Sequence, residues 1–97
     1  MAPETDESHR DVMARLAQFL TDEVKGRDYA DLLATRAAAA QQGWAAPGAS
    51  GNAYYVGFGP EAVVIEHHYV KDWPPLSVPV DRFIAAVRAW RETLTHD

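Results

Sequence analysis

Cysteine is absent from the 97 residues. Disulfides, iron–sulfur clusters and thiolate zinc sites are therefore excluded. No apolar run approaches the ~20 residues that cross a bilayer as a helix. Positive charge is scarce: 9 Lys and Arg stand against 14 Asp and Glu, a formal net charge of −5. That deficit argues against nucleic acid and anionic membrane, which require clustered cations. A basic n-region is missing too, because Glu4, Asp6 and Glu7 sit where a secretory signal would begin. A cytoplasmic location is the expectation. The length suits one domain, and a chain this size buries roughly two thirds of its unfolded surface on folding.

The residues present set out six elements. Positions 1–7 are polar and read as a frayed tail, so the single domain is expected over 8–97. Ser8-His9-Arg10-Asp11 has the form of a capping box. Val12, Met13, Leu16, Phe19, Leu20 and Val24 follow at helical spacing, and Gly26 ends the run. A second helix starts near Asp28, with Tyr29, Leu32, Leu33, Ala37 and Ala40 on one face, and stops at Gly43. Its four consecutive alanines favour helix and read as a thin face on the chain's own core. Residues 44–52 form a linker that Trp44 is expected to pin to the core.

The period then changes to two. Tyr54, Val56 and Phe58 alternate with Tyr55 and Gly57; Gly59-Pro60-Glu61 is a turn; Val63, Ile65, His67 and Tyr69 alternate with Val64, Glu66, His68 and Val70. These runs read as an antiparallel hairpin. The two prolines of Trp73-Pro74-Pro75 keep 71–75 extended, and Leu76–Val78 makes a third strand. A last helix covers about 80–95, with Val80, Phe83, Ile84, Val87, Trp90 and Leu94 as its apolar stripe. The predicted fold is α+β: two N-terminal helices, a three-stranded antiparallel sheet and a C-terminal amphipathic helix. Helices on one face would bury Tyr54, Val56, Val63 and Ile65. Tyr55, Val64, Glu66, His68 and Val70 would then show on the other.

Catalytic patterns are thin. His67 and His68 are adjacent and point to opposite faces of a strand, so they do not share one ion. Glu66 and His68 have the better spacing, but two ligands do not make a zinc site. His9 and His96 are near the termini. Ser8, Ser50 and Ser77 have no nucleophile-elbow context, and the glycines of 47–51 lack a phosphate loop's spacing and lysine. Asp22/Glu23 and Asp28/Asp31 read as solvated charges on helical polar faces. The expectation is a protein without catalytic residues, metal or cofactor. The aromatics say more. Trp90 belongs to the core stripe, whereas Trp73, beside Lys71 and Asp72 in a proline-flanked loop, either folds back on the core or anchors an interface. Tyr55, Glu61, Glu66, His68, Asp72 and Trp73 form the candidate partner-binding set, acid beside aromatic.

The segment Tyr54-Tyr55-Val56, Glu61–Tyr69, Pro75–Phe83 and Trp90 resembles small acidic immunity proteins of bacterial polymorphic-toxin and contact-dependent inhibition systems. The resemblance covers about Asn52 to Leu94. It implies one-to-one inhibition of a cognate secreted toxin, with acidic groups standing in for the substrate phosphates of a basic nuclease and no catalysis. Two other functions fit the residues: a self-associating domain that buries the outer sheet face or a strand edge in a homodimer, and a small-ligand pocket between sheet and helices.

Overall fold

The computed structural model describes residues 2–94, with side chains from residue 10 onward. The Ser8 side chain of the expected capping box, the His9 side chain, the acids Glu4, Asp6 and Glu7, and His96 lie outside those described side chains. Three helices and four strands run in the order α1 (Ala2–Glu23), α2 (Arg27–Gln41), β1 (Ala49–Ser50), β2 (Tyr54–Phe58), β3 (Ala62–His67), β4 (Leu76–Pro79) and α3 (Val80–Thr93). The fold is α+β, as the change of period from 3.6 to 2 implies. The strands form an antiparallel meander in the order β1-β2-β3-β4.

Four boundaries differ from the sequence expectation. The α1 backbone is helical from Ala2, so Ser8 falls inside the helix and not at its cap. At the other end α1 stops at Glu23, and Gly26 serves as the N-cap of α2, in extended conformation. The sheet has four strands and not three: Ala49 and Ser50, inside the expected linker, pair with Val56 and Tyr55. That pairing needs only two residues, too few to show a period. Finally, β3 ends at His67 and not Val70, because the His67 ring captures the next backbone N–H groups, as described below.

One continuous core lies between the sheet and the helices. α1 contributes Leu16, Phe19 and Leu20, with Val24 just past its end; α2 contributes Ala30, Leu33 and Ala37; α3 contributes Phe83, Ile84 and Val87. The sheet answers with Ala49, Tyr54, Val56, Val63, Ile65, Leu76 and Val78, alternate residues on every strand. The alanines of α2 do what a thin face does: Ala30 and Ala37 are fully buried and bring α2 close to α3. Trp90 is only partly buried, yet its indole Nε1–H donates to the Val24 carbonyl at 2.6 Å, tying α3 to the α1–α2 joint. α3 starts directly from β4, and the Val80 N–H donates to the Glu61 carbonyl in the β2–β3 turn. Gly43 adopts a positive φ of 91° and ends α2, with the Trp44 N–H turned back to the Ala39 carbonyl. Trp44 itself is 72% exposed, so it does not pin the linker to the core. Arg36 holds the linker instead, donating to the carbonyls of Gly48 (3.0 Å) and Pro47 (3.4 Å).

Candidate functional site

The helices cover one side of the sheet and leave the other open. Register places Ser50 beside Tyr55, Tyr55 beside Glu66, Gly57 beside Val64 and Val64 beside Ser77 on that open side. Tyr55 and Val64 are 38% and 36% exposed, and Ser50, Glu66 and Ser77 are exposed with them. His68 follows β3 and joins this group through a 3.0 Å hydrogen bond between its Nε2 and the Ser50 hydroxyl. The Tyr55 ring leans on Gly48, whose Cα faces the phenol so closely that any side chain there would collide with it. A shallow groove beside Tyr55 is lined by Ala46, Gly57, Phe58 and Val64, and a second one next to it carries Trp44 and Pro60. Trp44, Tyr55 and Val64 thus border a largely apolar strip, with Glu66 and His68 at its far end.

The six residues chosen from sequence divide between several places. Tyr55, Glu66 and His68 come together on the open face. Glu61 is exposed in the β2–β3 turn, at the opposite end of the hairpin from Glu66. Asp72 is exposed in the β3–β4 loop. Trp73 belongs to the covered side. It packs against the core, with its ring 5.4 Å from Tyr54 in an edge arrangement and the Arg15 guanidinium 4.2 Å above it. Its folding back is explained by that pair of contacts, an aromatic pair and a cation–π contact each worth about 1 kcal/mol.

A second cluster, which sequence reasoning missed, lies under Trp73. Tyr54 is buried between Phe19, His67 and Trp73, and its hydroxyl donates to Asp22 Oδ2 at 2.9 Å. Burial, and then the hydrogen bond to Asp22 with the negative charges of Asp22 and Glu23, pushes the phenol up to about 12. Tyr54 is therefore a fixed donor and not a base. Glu23 accepts the Ala53 N–H through both carboxylate oxygens at 3.3 Å. So Asp22 and Glu23 are not merely solvated: both stand at the rim of α1 where the sheet reaches it. Asp31 likewise pairs with Arg91 at 2.6 Å. The signal was present in the sequence, because Arg15, Phe19 and Asp22 follow the i, i+4, i+7 spacing of one helical stripe.

Tyr29 has its hydroxyl buried without a hydrogen-bond partner among the described residues. Burial, with the charge of Glu23, raises its pKa. Among the described residues no three His, Asp or Glu side chains gather in a metal-holding group, and no helix is long and apolar enough to cross a membrane. No protein-family model matches the chain, and no match is found among curated proteins or solved structures.

Proposed function

We propose that the chain is a non-catalytic cytoplasmic binding protein that receives a basic protein partner on the open face of its sheet. The specific form of this reading is an immunity protein that binds and blocks a cognate secreted toxin, a basic nuclease. The observation that carries it is the composition of the open face: Tyr55, Glu66 and His68 adjoin one another on a sheet side that the chain's own helices leave uncovered. Charge supports it. Arg15, Arg27, Arg36 and Arg91 hold partners within the chain. These cations are thus drawn inward while Glu61, Glu66 and Asp72 stand in solvent. Complementary charge speeds encounter and rejects wrong partners. Inhibition needs only that Glu66 and Asp72 occupy the sites where a nuclease would hold phosphates, with Tyr55 as an apolar anchor.

The test is co-expression with the product of the neighbouring reading frame. That product alone should arrest growth, and this chain should restore it. Glu66→Lys with Asp72→Lys should abolish rescue and weaken binding roughly 100-fold, with an unchanged circular dichroism spectrum. Full rescue by that folded double variant would remove the Glu66 and Asp72 carboxylates from the mechanism.

A second reading, a homodimer, is favoured by the apolar strip of Trp44, Tyr55 and Val64. It uses the face and not the β4 edge, where Pro75 precedes the strand and Pro79 ends it, blunting pairing. Sedimentation equilibrium separates the two, because only the dimer gives a mass that doubles with concentration in the isolated chain.

A further inference from the structure

Two of the bonds that hold the loop between β3 and β4 end on one imidazole nitrogen. His67 Nδ1 accepts the backbone N–H of Tyr69 and of Val70, each at 3.1 Å. A ring nitrogen accepts only while it carries no proton, so this arrangement requires the tautomer protonated at Nε2. Asn and Asp side chains nucleate turns in the same way, by accepting N–H groups a few residues onward. An imidazole differs from them in that its charge ordinarily changes between pH 5 and 8. Other ties of the loop are the His68 N–H to the Ala53 carbonyl (2.8 Å), the Trp73 N–H to the Val70 carbonyl (3.2 Å), and Arg15, which donates to the Pro74 carbonyl while lying over Trp73.

The His67 ring also sits in the wall that Trp73 closes. Its centroid is 4.7 Å from Tyr54, 6.0 Å from Trp73 and 6.3 Å from Tyr69. Charged and titratable groups face this cluster from each element around it. α1 supplies Arg15 over Trp73, Asp22 on the Tyr54 hydroxyl, and Glu23, whose charge acts on the same phenol. β2 supplies Tyr54 and the loop supplies Tyr69, whereas Glu66 and His68, on either side of His67 in sequence, turn to the open face, and Lys71 and Asp72 are exposed in the loop. Arg15 gives the cluster a cation before His67 takes a proton.

We infer that His67 is a proton-operated latch for residues 68–75. With the ring neutral, Nδ1 holds the start of the loop and Trp73 closes over Tyr54. When Nδ1 takes a proton from solvent it becomes a donor facing two donors. The turn then opens and Trp73 leaves Tyr54. This device rests on the covered side of the sheet and does not depend on any partner.

The experiment measures amide exchange at Tyr69 and Val70 by NMR between pH 8 and pH 5, normalised to intrinsic rates, with the His67 ring followed through its own nitrogen shifts. Fluorine resonances of 5-fluorotryptophan report Trp73 exposure in the same samples. In the wild-type chain, protection at both amides should fall roughly five- to ten-fold as the ring protonates, the loss of one to two neutral hydrogen bonds, and Trp73 should become more exposed in step. His67→Asn, whose amide oxygen accepts the same N–H groups without titrating, should remain protected throughout. His67→Phe, which keeps the ring and removes the acceptor, should be unprotected at both pH values. A ring that stays neutral to pH 5, a ring that protonates while the loop stays closed, or an equal loss of protection in His67→Asn would each overturn the latch. So would retained protection in folded His67→Phe.

Discussion

Gly51 and Glu23 meet where the β1–β2 turn reaches α1, and a double-mutant cycle measures their dependence on each other. A Cβ on Gly51 would land on the Glu23 carboxylate, the same carboxylate that accepts the Ala53 N–H through both oxygens at 3.3 Å. A carboxylate end can swing away, so the substitution is tolerated sterically but displaces the acceptor. Hydrogen bonds to charged groups contribute about 1.5–3 kcal/mol at good geometry. At 3.3 Å, and only partly buried, the bond falls at or just below the bottom of that range, about 1–1.5 kcal/mol. Glu23→Ala removes that bond directly and should cost about 1–1.5 kcal/mol; Gly51→Ala removes it by displacement and should cost the same, less whatever it gains through the unfolded chain. For a chain of this size that is a fall of roughly 4–12 °C in melting temperature. In the Glu23→Ala background the clash is gone. Gly51 has no positive φ, so Gly51→Ala there should be neutral, or stabilising by up to about 1 kcal/mol through the unfolded chain. That gain is common to both backgrounds and cancels in the cycle, so the coupling should be about 1–1.5 kcal/mol, above the ~0.5 kcal/mol scatter of independent sites. Urea denaturation followed by circular dichroism on the four proteins gives the answer. Equal destabilisation by Gly51→Ala in both backgrounds would refute the close approach and, with it, the role of Glu23 in holding the β1–β2 turn.

Two further outcomes follow from the core and its rim. Trp44→Ala should change unfolding free energy by no more than about 0.5 kcal/mol, since the side chain is 72% exposed and Arg36 fixes the linker; a loss of about 2 kcal/mol or more in the same urea titration would return Trp44 to the core. Tyr54→Phe should flatten the alkaline limb of the stability curve. With the folded phenol pushed up to about 12 against about 10 unfolded, the neutral hydroxyl's contribution is intact below about pH 10. It fades as pH rises from about 10 toward 12, because the unfolded chain releases its proton first. Between about pH 9 and pH 11, stability should fall in the wild-type chain by more than in the variant, and parallel falls would refute the assignment.

The parts of the fold that were legible in the sequence are those written in repeated patterns. The stripe Leu16, Phe19, Leu20, Val24 and the alternation of Tyr54, Val56, Val63 and Ile65 declare their buried sides because each repeats over several turns or residues. The open face carrying Tyr55, Val64 and Glu66 follows from the same alternation read in reverse. What escaped depends on single contacts between distant residues. β1 is two residues long and exists only through its pairing with Tyr55 and Val56. Trp44 reads as core by residue type, yet Gly43 turns it outward. The end of β3 escaped for a similar reason. The alternation runs on through His68, Tyr69 and Val70, but the His67 ring satisfies the Tyr69 and Val70 N–H groups in place of a neighbouring strand.

The candidate site divides along the same line, and the division has a functional meaning. Alternation assigns Tyr55 to the open face, but the proline-flanked loop around Trp73 has no period to assign it to either side. Arg15 decides its side: its position on α1, one turn before Phe19, draws Trp73 to the helical side of the sheet, where it covers Tyr54. Among the described residues no helix covers Tyr55, so it stays partly in solvent beside Glu66. The two sides are nevertheless joined at one point. His67 faces Tyr54 and holds the loop, while the next residue, His68, bonds Ser50 on the open face and donates its N–H to the Ala53 carbonyl. Ala53 is in turn the residue that Glu23 holds. The loop and the open face are thus adjacent through one residue of backbone, His68, and share the Ala53 anchor with α1.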